Sequence, residues 1–204
     1  MSIGPSPRNF CRYDCVYVRV RSDREKRLQQ IFVTDRLILR PRTLADLDDC
    51  MAMDRDPEVT RYIPGPWADP DGHRRFVINR MESDFGEGLG YWSIFAKTAP
   101  KQFLGWVMLI PYDTIGPDIE IGWRLNRHAW GQGYATEAAR PVLDHGFETL
   151  NLPRIVANIF AGNDASIKVA EKLGMTFLSD EVSDGLPCKD YGITQDERAR
   201  MLTV

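Results

Sequence analysis

The chain has 204 residues, 43% of them hydrophobic and 27% charged, with a net charge of −3. That length buries a sizeable core in one domain, or in one domain with an extension. The mildly acidic balance offers no basic surface for nucleic acid, and the longest strongly apolar run, Trp106 to Ile110, is far too short to span a bilayer.

The polar start of the chain, with Pro5, Pro7 and Arg8, does not read as a signal peptide. Cys11, Cys15, Cys50 and Cys188 fit no zinc spacing, and His73, His128 and His145 do not complete one, so no metal is expected. The cysteines read as reduced thiols of a cytoplasmic protein. The three histidines are expected at the surface or as caps.

Residues 1–30 differ from the rest. Cys15 to Val20 could form a strand, but Arg19 to Arg27 is a dense run of charge. This part reads as an N-terminal extension, disordered or loosely attached, ahead of a domain over 31–204. From Leu37 to Arg40 a strand is expected, ended by Pro41. Thr43 caps a helix reaching about Arg55, and Asp56-Pro57-Glu58 starts a short second one. A third helix is expected from Pro70 to Glu87, closed by Gly86, Gly88 and Gly90.

Strands follow. Tyr91 to Lys97 alternates, Phe103 to Ile110 is continuously apolar, and Asp118 to Leu125 alternates again. A helix runs from Thr136 to Thr149, and a strand from Arg154 to Phe160. Asn163 or Asp164 caps a helix from Ala165 to Leu173, stopped by Gly174. Met175–Leu178 and Lys189–Ile193 complete the set. That order is α+β with a mostly antiparallel sheet, because consecutive strands with short links pair as hairpins.

The most informative stretch is Trp130-Gly131-Gln132-Gly133-Tyr134-Ala135-Thr136. It joins a strand to a helix start, where unpaired backbone N–H groups and the helix dipole favour an anion. Gly131 and Gly133 let a phosphate approach the backbone. A dinucleotide fingerprint is disfavoured, because Thr136 stands where its third glycine belongs and no repeated βαβ surrounds it.

Four stretches, in order, resemble the GNAT superfamily of acetyl-CoA-dependent N-acetyltransferases. They are Thr34 to Arg40, Ile119 to Trp123, Trp130 to Ala138, and Asn163 to Ile167 with Glu171 to Met175. The likeness covers about residues 31–195 and is nearest the RimJ/RimL-type branch, which acetylates ribosomal-protein N-termini. It implies the GNAT fold, a mixed, mostly antiparallel sheet with flanking helices. It also implies acetyl-CoA as co-substrate and a primary amine as acceptor, a protein N-terminus or a small molecule. Three positions depart from the family pattern. Trp130 replaces a Gln or Arg, Met175 replaces a Phe, and Ala170 stands where many members carry the Tyr general acid.

Acetyl transfer needs a held pyrophosphate, a registered pantetheine arm, a neutral amine and a stabilised oxyanion. Backbone N–H groups of Gln132, Gly133, Tyr134, Ala135 and Thr136, beside Gly131, suit the first need. The resemblance puts pantetheine contacts near Trp123, Arg124 and Leu125, on a strand that splays from Arg154–Phe160. Glu120 is the candidate general base through a water, because it faces away from Ile119, Ile121 and Trp123; a carboxylate partly buried beside a cleft is raised toward neutrality. The other reading is a solvated strand charge. Asn163 and Ser166 resemble positions touching the CoA arm, with Ser166 a second candidate for proton transfer; Asn163 reads as helix cap and CoA contact together, while helix capping explains Ser166 as well as the arm does. Tyr62, Ile63, Trp67 and Trp92 are candidates for an acceptor wall, or core residues. Arg124 and Arg127 are candidates for the CoA phosphates, or solvated charges. The alternative function is a non-catalytic acyl-CoA sensor, kept open by the absent Tyr. No nucleic-acid or membrane partner is expected, and the oligomer is a monomer or homodimer.

Overall fold

The computed structural model describes residues 29–202. The possible strand Cys15–Val20, the charged run Arg19–Arg27, and Cys11 and Cys15 lie outside the described residues. Within them, β1 (Phe32–Val33) and β2 (Leu37–Pro41) pair as a hairpin, followed by three short helices: α1 (Leu47–Asp54), α2 (Pro57–Thr60) and α3 (Pro70–Glu82). Next come β3 (Gly90–Ala96), β4 (Ala99–Pro111), β5 (Ile119–Leu125), α4 (Tyr134–Glu148), β6 (Arg154–Phe160) and α5 (Asp164–Lys172). The hairpin β7 (Thr176–Ser183) and β8 (Leu186–Thr194), then α6 (Gln195–Leu202), close the described chain. The strands form one sheet in the order β1-β2-β3-β4-β5-β6-β8-β7, antiparallel except at β5–β6.

Local chemistry sets the helix starts. The Asp56 side chain accepts from Glu58 N, with Pro57 at the first helical position. Asp69 and Pro70 repeat the device at α3. Helix α3 stops at Glu82 rather than Glu87. Ser83 turns extended and its Oγ donates to the Asn79 carbonyl at 2.6 Å, while Asp84 accepts from Gly86 N. Short polar side chains there compete for the backbone and end the helix.

The two faces of the sheet differ. Alternation puts Tyr91, Ser93, Trp106, Met108, Glu120, Gly122 and Arg124 on one face, paired across strands as Ser93↔Trp106↔Arg124 and Tyr91↔Met108↔Gly122. Helix α1 covers this face, where Asp46, just before it, binds Ser93 and Arg40, and Asp54 binds Arg124. The opposite face presents Leu39, Trp92, Ile94, Val107, Leu109 and Ile121, all at most 1% exposed. It packs on α4, where a Cβ at Gly146 would strike Ile155 and Leu109. Helix α6, unforeseen in the sequence, docks on α4 through Arg198 Nε to Asp144 at 2.8 Å. Its start is a reciprocal cap between Thr194 and Glu197.

Candidate active site

Strands β5 and β6 share only two ladder pairs, Ile119↔Ile155 and Glu120↔Val156. Both strands run on, to Leu125 and Phe160, without further pairing to each other. Beyond Glu120 they form a fork, with the backbone edges of residues 121–125 and 157–160 turned toward a gap. Glu120 stands at its base. A cavity of about 250 Å³ lies along this fork, and Glu120, Trp123, Asn163 and Ser166 all line it.

Leu125 and residues Gly131 to Thr136 are not in that cavity's wall. Leu125 is buried, and its carbonyl already accepts from the Trp130 indole at 2.8 Å. Through that bond Trp130 pins the loop to the end of β5. Gly131 (φ 72°) and Gly133 (φ 79°) are both left-handed, which favours glycine. A Cβ at Gly131 would meet nothing within 4 Å, and one at Gly133 only Arg36 Nη2 at 3.6 Å. The outer side of the turn is therefore open. The first helical bond runs from Glu137 N to Gly133 O at 3.1 Å, so the N–H groups of Tyr134, Ala135 and Thr136 precede the ladder. Gln132 reaches back to His128 O with its side-chain amide. An anionic group fits this turn.

Arg36 was not singled out by sequence, and it stands beside the loop. Its guanidinium binds Glu137 Oε2 at 2.6 Å and lies 4.5 Å from the Tyr134 ring centre. Thr34 Oγ1 donates to the same carboxylate at 2.6 Å. Burial pushes the Glu137 carboxyl up, but the bonds from Thr34 and Arg36 outweigh it and hold the group below the usual carboxylate range. Thr34-Asp35-Arg36 carried part of the family resemblance as an opening strand, but the long-range partner Glu137 was invisible.

At the start of α5, Asn163 Oδ1 accepts from Ser166 N at 3.2 Å, so Asn163 caps the helix while lining the cavity. Ala170 is fully buried, so the face of α5 at that position belongs to the core. Tyr62 stacks on Phe160 with ring centres 5.1 Å apart, tying the segment after α2 to β6.

The cavity continues over the α1 face of the sheet, and here the structure corrects several expectations. Arg124 is not a solvated charge: its side chain is 9% exposed and its Nη1 donates to Asp54 Oδ1 at 2.7 Å. Arg127 does point outward, paired with Asp56. His73 is buried, with Nε2 at 3.2 Å from Asp54 Oδ2, and His145 is buried against the Gly88 carbonyl. Only His128 of the three is exposed. Trp92 is fully buried in the opposite face and is no part of a wall. Trp67 backs the wall rather than lining it, edge-on to His73 and 5.1 Å from the Arg124 guanidinium carbon. Tyr62 and Ile63 do line the cavity. Cys50, also lining it, is 1% exposed, and burial pushes its thiol up to about 11. Cys50 and Cys188 are free thiols.

The chain matches the acetyltransferase (GNAT) domain family over residues 36–176. It belongs to the GNAT family of acetyltransferases. It is 36% identical over 149 residues to the protein YkkB of Bacillus subtilis, covering 71% of this chain and 84% of that one. It is also 36% identical over 141 residues to the N-acetyltransferase p20 of Bacillus licheniformis, covering 69% and 79%. Among solved structures, a GNAT-family acetyltransferase from Bacillus anthracis superposes with a TM-score of 0.70 at 25% identity, covering 82% of this chain and 99% of that one.

The eight-stranded sheet with flanking helices is thus the GNAT fold, and the family's co-substrate is acetyl-CoA. The fork and the open glycine turn are surfaces of the right kind for a long, amide-bearing, phosphorylated molecule. Sequence missed Arg36, Arg42 and Asp54. A signal existed for the last two in hindsight: an Arg directly after a strand, and an Asp on the apolar side of a short helix beside Cys50 and Met53.

Proposed function

We propose that this acetyltransferase moves the acetyl group of acetyl-CoA to a primary amine by direct attack of the amine on the thioester. The observation that carries this reading is the fork with Glu120 at its base. Exposed strand edges can pair with the pantetheine amides as a β-strand would. They do so near Trp123, Arg124 and Leu125, with the Leu125 carbonyl already engaged by Trp130. The N–H groups of Gln132 to Thr136, at Gly131 and Gly133, hold the pyrophosphate, with Arg36 as neighbouring cation. The acceptor reaches the fork from the α1 face. In the reaction its nitrogen forms a bond to the acetyl carbonyl carbon, the carbon–sulfur bond breaks, and the CoA thiolate leaves. Glu120 takes the amine proton through a water. No acyl-enzyme is needed. Asn163 positions the arm and caps α5, and Ser166, which lines the same cavity, passes a proton to the leaving sulfur.

The acceptor is an α-amine at a protein N-terminus, as the RimJ/RimL-type likeness favours, or a small amine. An α-amine titrates near ~8 and needs less help to deprotonate than a lysine side chain. The test is thiol release with a panel of N-terminal peptides and small amines, run with wild type and Glu120→Gln. The variant is expected to bind acetyl-CoA normally, to lower kcat, and to flatten the acid limb of the pH–rate profile. A wild-type rate and profile would remove Glu120 from this role.

A further inference from the structure

Arg42, directly after β2, is 8% exposed and lines the cavity on the α1 face. Among the described residues its Nε and Nη2 have no hydrogen-bond partner. Its guanidinium carbon lies 3.7 Å from the Tyr91 ring centre and 5.7 Å from that of Trp106. Stacking occupies the face of a guanidinium and leaves its N–H edge for a ligand. A buried guanidinium without a partner is costly unless something binds it.

A second arginine stands near it. Arg124 lies 5.0 Å from the same Trp106 ring, and its Nε also lacks a partner among the described residues. The acid on this side, Asp54, is already engaged by Arg124 Nη1 and His73 Nε2. Arg80 lines this cavity too and shares a smaller neighbouring one with Arg42 and Tyr91. The other end is acidic: Glu120 is four residues back along β5, roughly 13 Å away, and Asp113 lines the cavity from the connection between β4 and β5. Gly122 lies between Glu120 and Arg124 on the same face, and the side chain of its cross-strand neighbour Met108 lies over it. The cleft is therefore polarised, cationic under α1 and α3 and acidic at the fork.

Resting on the transferase reading above, we propose that the acceptor is an amine that also carries a carboxylate, and that Arg42, with Arg124 beside it, binds that carboxylate while the amine faces Glu120. Planar guanidinium edges match a carboxylate's two oxygens. A polyamine would bring further positive charge against the two arginines. A peptide N-terminus fits only if an acidic side chain lies within reach.

The experiment compares amino acids of increasing amine-to-carboxylate spacing, each with its carboxamide, and spermidine, as acceptors. Acetyl-CoA binding is measured separately by calorimetry. The expected result is a kcat/KM at least about tenfold higher for one or more free acids than for their amides, in the range of a charged hydrogen-bonded pair. In Arg42→Met that ratio falls toward one while amide turnover and acetyl-CoA affinity persist, and Arg42→Lys recovers part of it. Should Arg42→Met not fold, Arg42→Lys and the wild-type ratio still decide. Equal turnover of acids and amides, turnover of spermidine in preference to acids, or no turnover of any free acid overturns the inference while leaving the transferase reading to stand on the other acceptors. Failure to bind acetyl-CoA at all overturns both.

Discussion

The Arg36 guanidinium sits 2.6 Å from the Glu137 carboxylate, and this pair joins the β1–β2 turn to the first turn of α4. Glu137 alone would repel a phosphate at the helix start. Arg36 cancels that charge and extends the positive end of the dipole toward the loop. The strand read as the opening of the domain thus helps to shape the glycine turn, proposed above as the anion site, a hundred residues later.

Replacing Arg36 by Ala should weaken acetyl-CoA binding on the order of fivefold, since the cation is half exposed and screened by solvent. The loss should shrink as salt rises. Calorimetry at low and high ionic strength checks it; an affinity unchanged at low salt would separate Arg36 from the ligand.

The Glu137 carboxyl is held below its ordinary value, so it binds fewer protons folded than unfolded near that pH. Its stabilising effect is complete above the unfolded value of about 4 and disappears as pH falls through the folded one. Wild type should therefore melt above Glu137→Gln at pH ~6, and the gap should close toward pH ~3. A gap that widens on acidification would contradict the sign.

Asp54 is 4% exposed and binds both Arg124 and His73. Asp54→Ala leaves a buried guanidinium without its partner and should cost about 3–5 kcal/mol. Urea unfolding measures this directly. A cost below about 1 kcal/mol would mean that water reaches Arg124 and replaces the carboxylate.

Ala170→Tyr would place a hydroxyl where the family resemblance leads one to expect it. Here the position is fully buried, so the ring must displace core atoms at a cost of about 1–3 kcal/mol or more. The variant should melt lower and show no gain in kcat. A faster, stable variant would show that the phenol finds its way to the fork.

Much of this was legible in sequence because the signals are local. Alternation marked β3 and β5, the apolar run marked the centre of β4, and the strand–glycine–helix join marked the turn that opens α4. What failed was local ambiguity or long range. The β7–β8 hairpin was read too short because β7 is exposed from Thr176 to Val182 and shows no alternation. Its turn, Asp184-Gly185, with φ of 52° and 74°, was a usable signal for a tight hairpin. The Thr194 and Glu197 cap of α6 was another. His73 and His145 were misplaced because a lone polar residue in a helix gives no sign of a buried partner until Asp54 and Gly88 are brought to it. Arg42 shows the same limit: its stacking on Tyr91 and Trp106 needs three strands in register.

Whether the fork and glycine turn together form an acetyl-CoA site is decided by a calorimetric titration of the wild-type chain with acetyl-CoA, using NAD as control. A single site of micromolar affinity for acetyl-CoA is expected, about −8 kcal/mol, with no binding of NAD. Absence of acetyl-CoA binding, or binding of NAD in its place, would contradict the assignment.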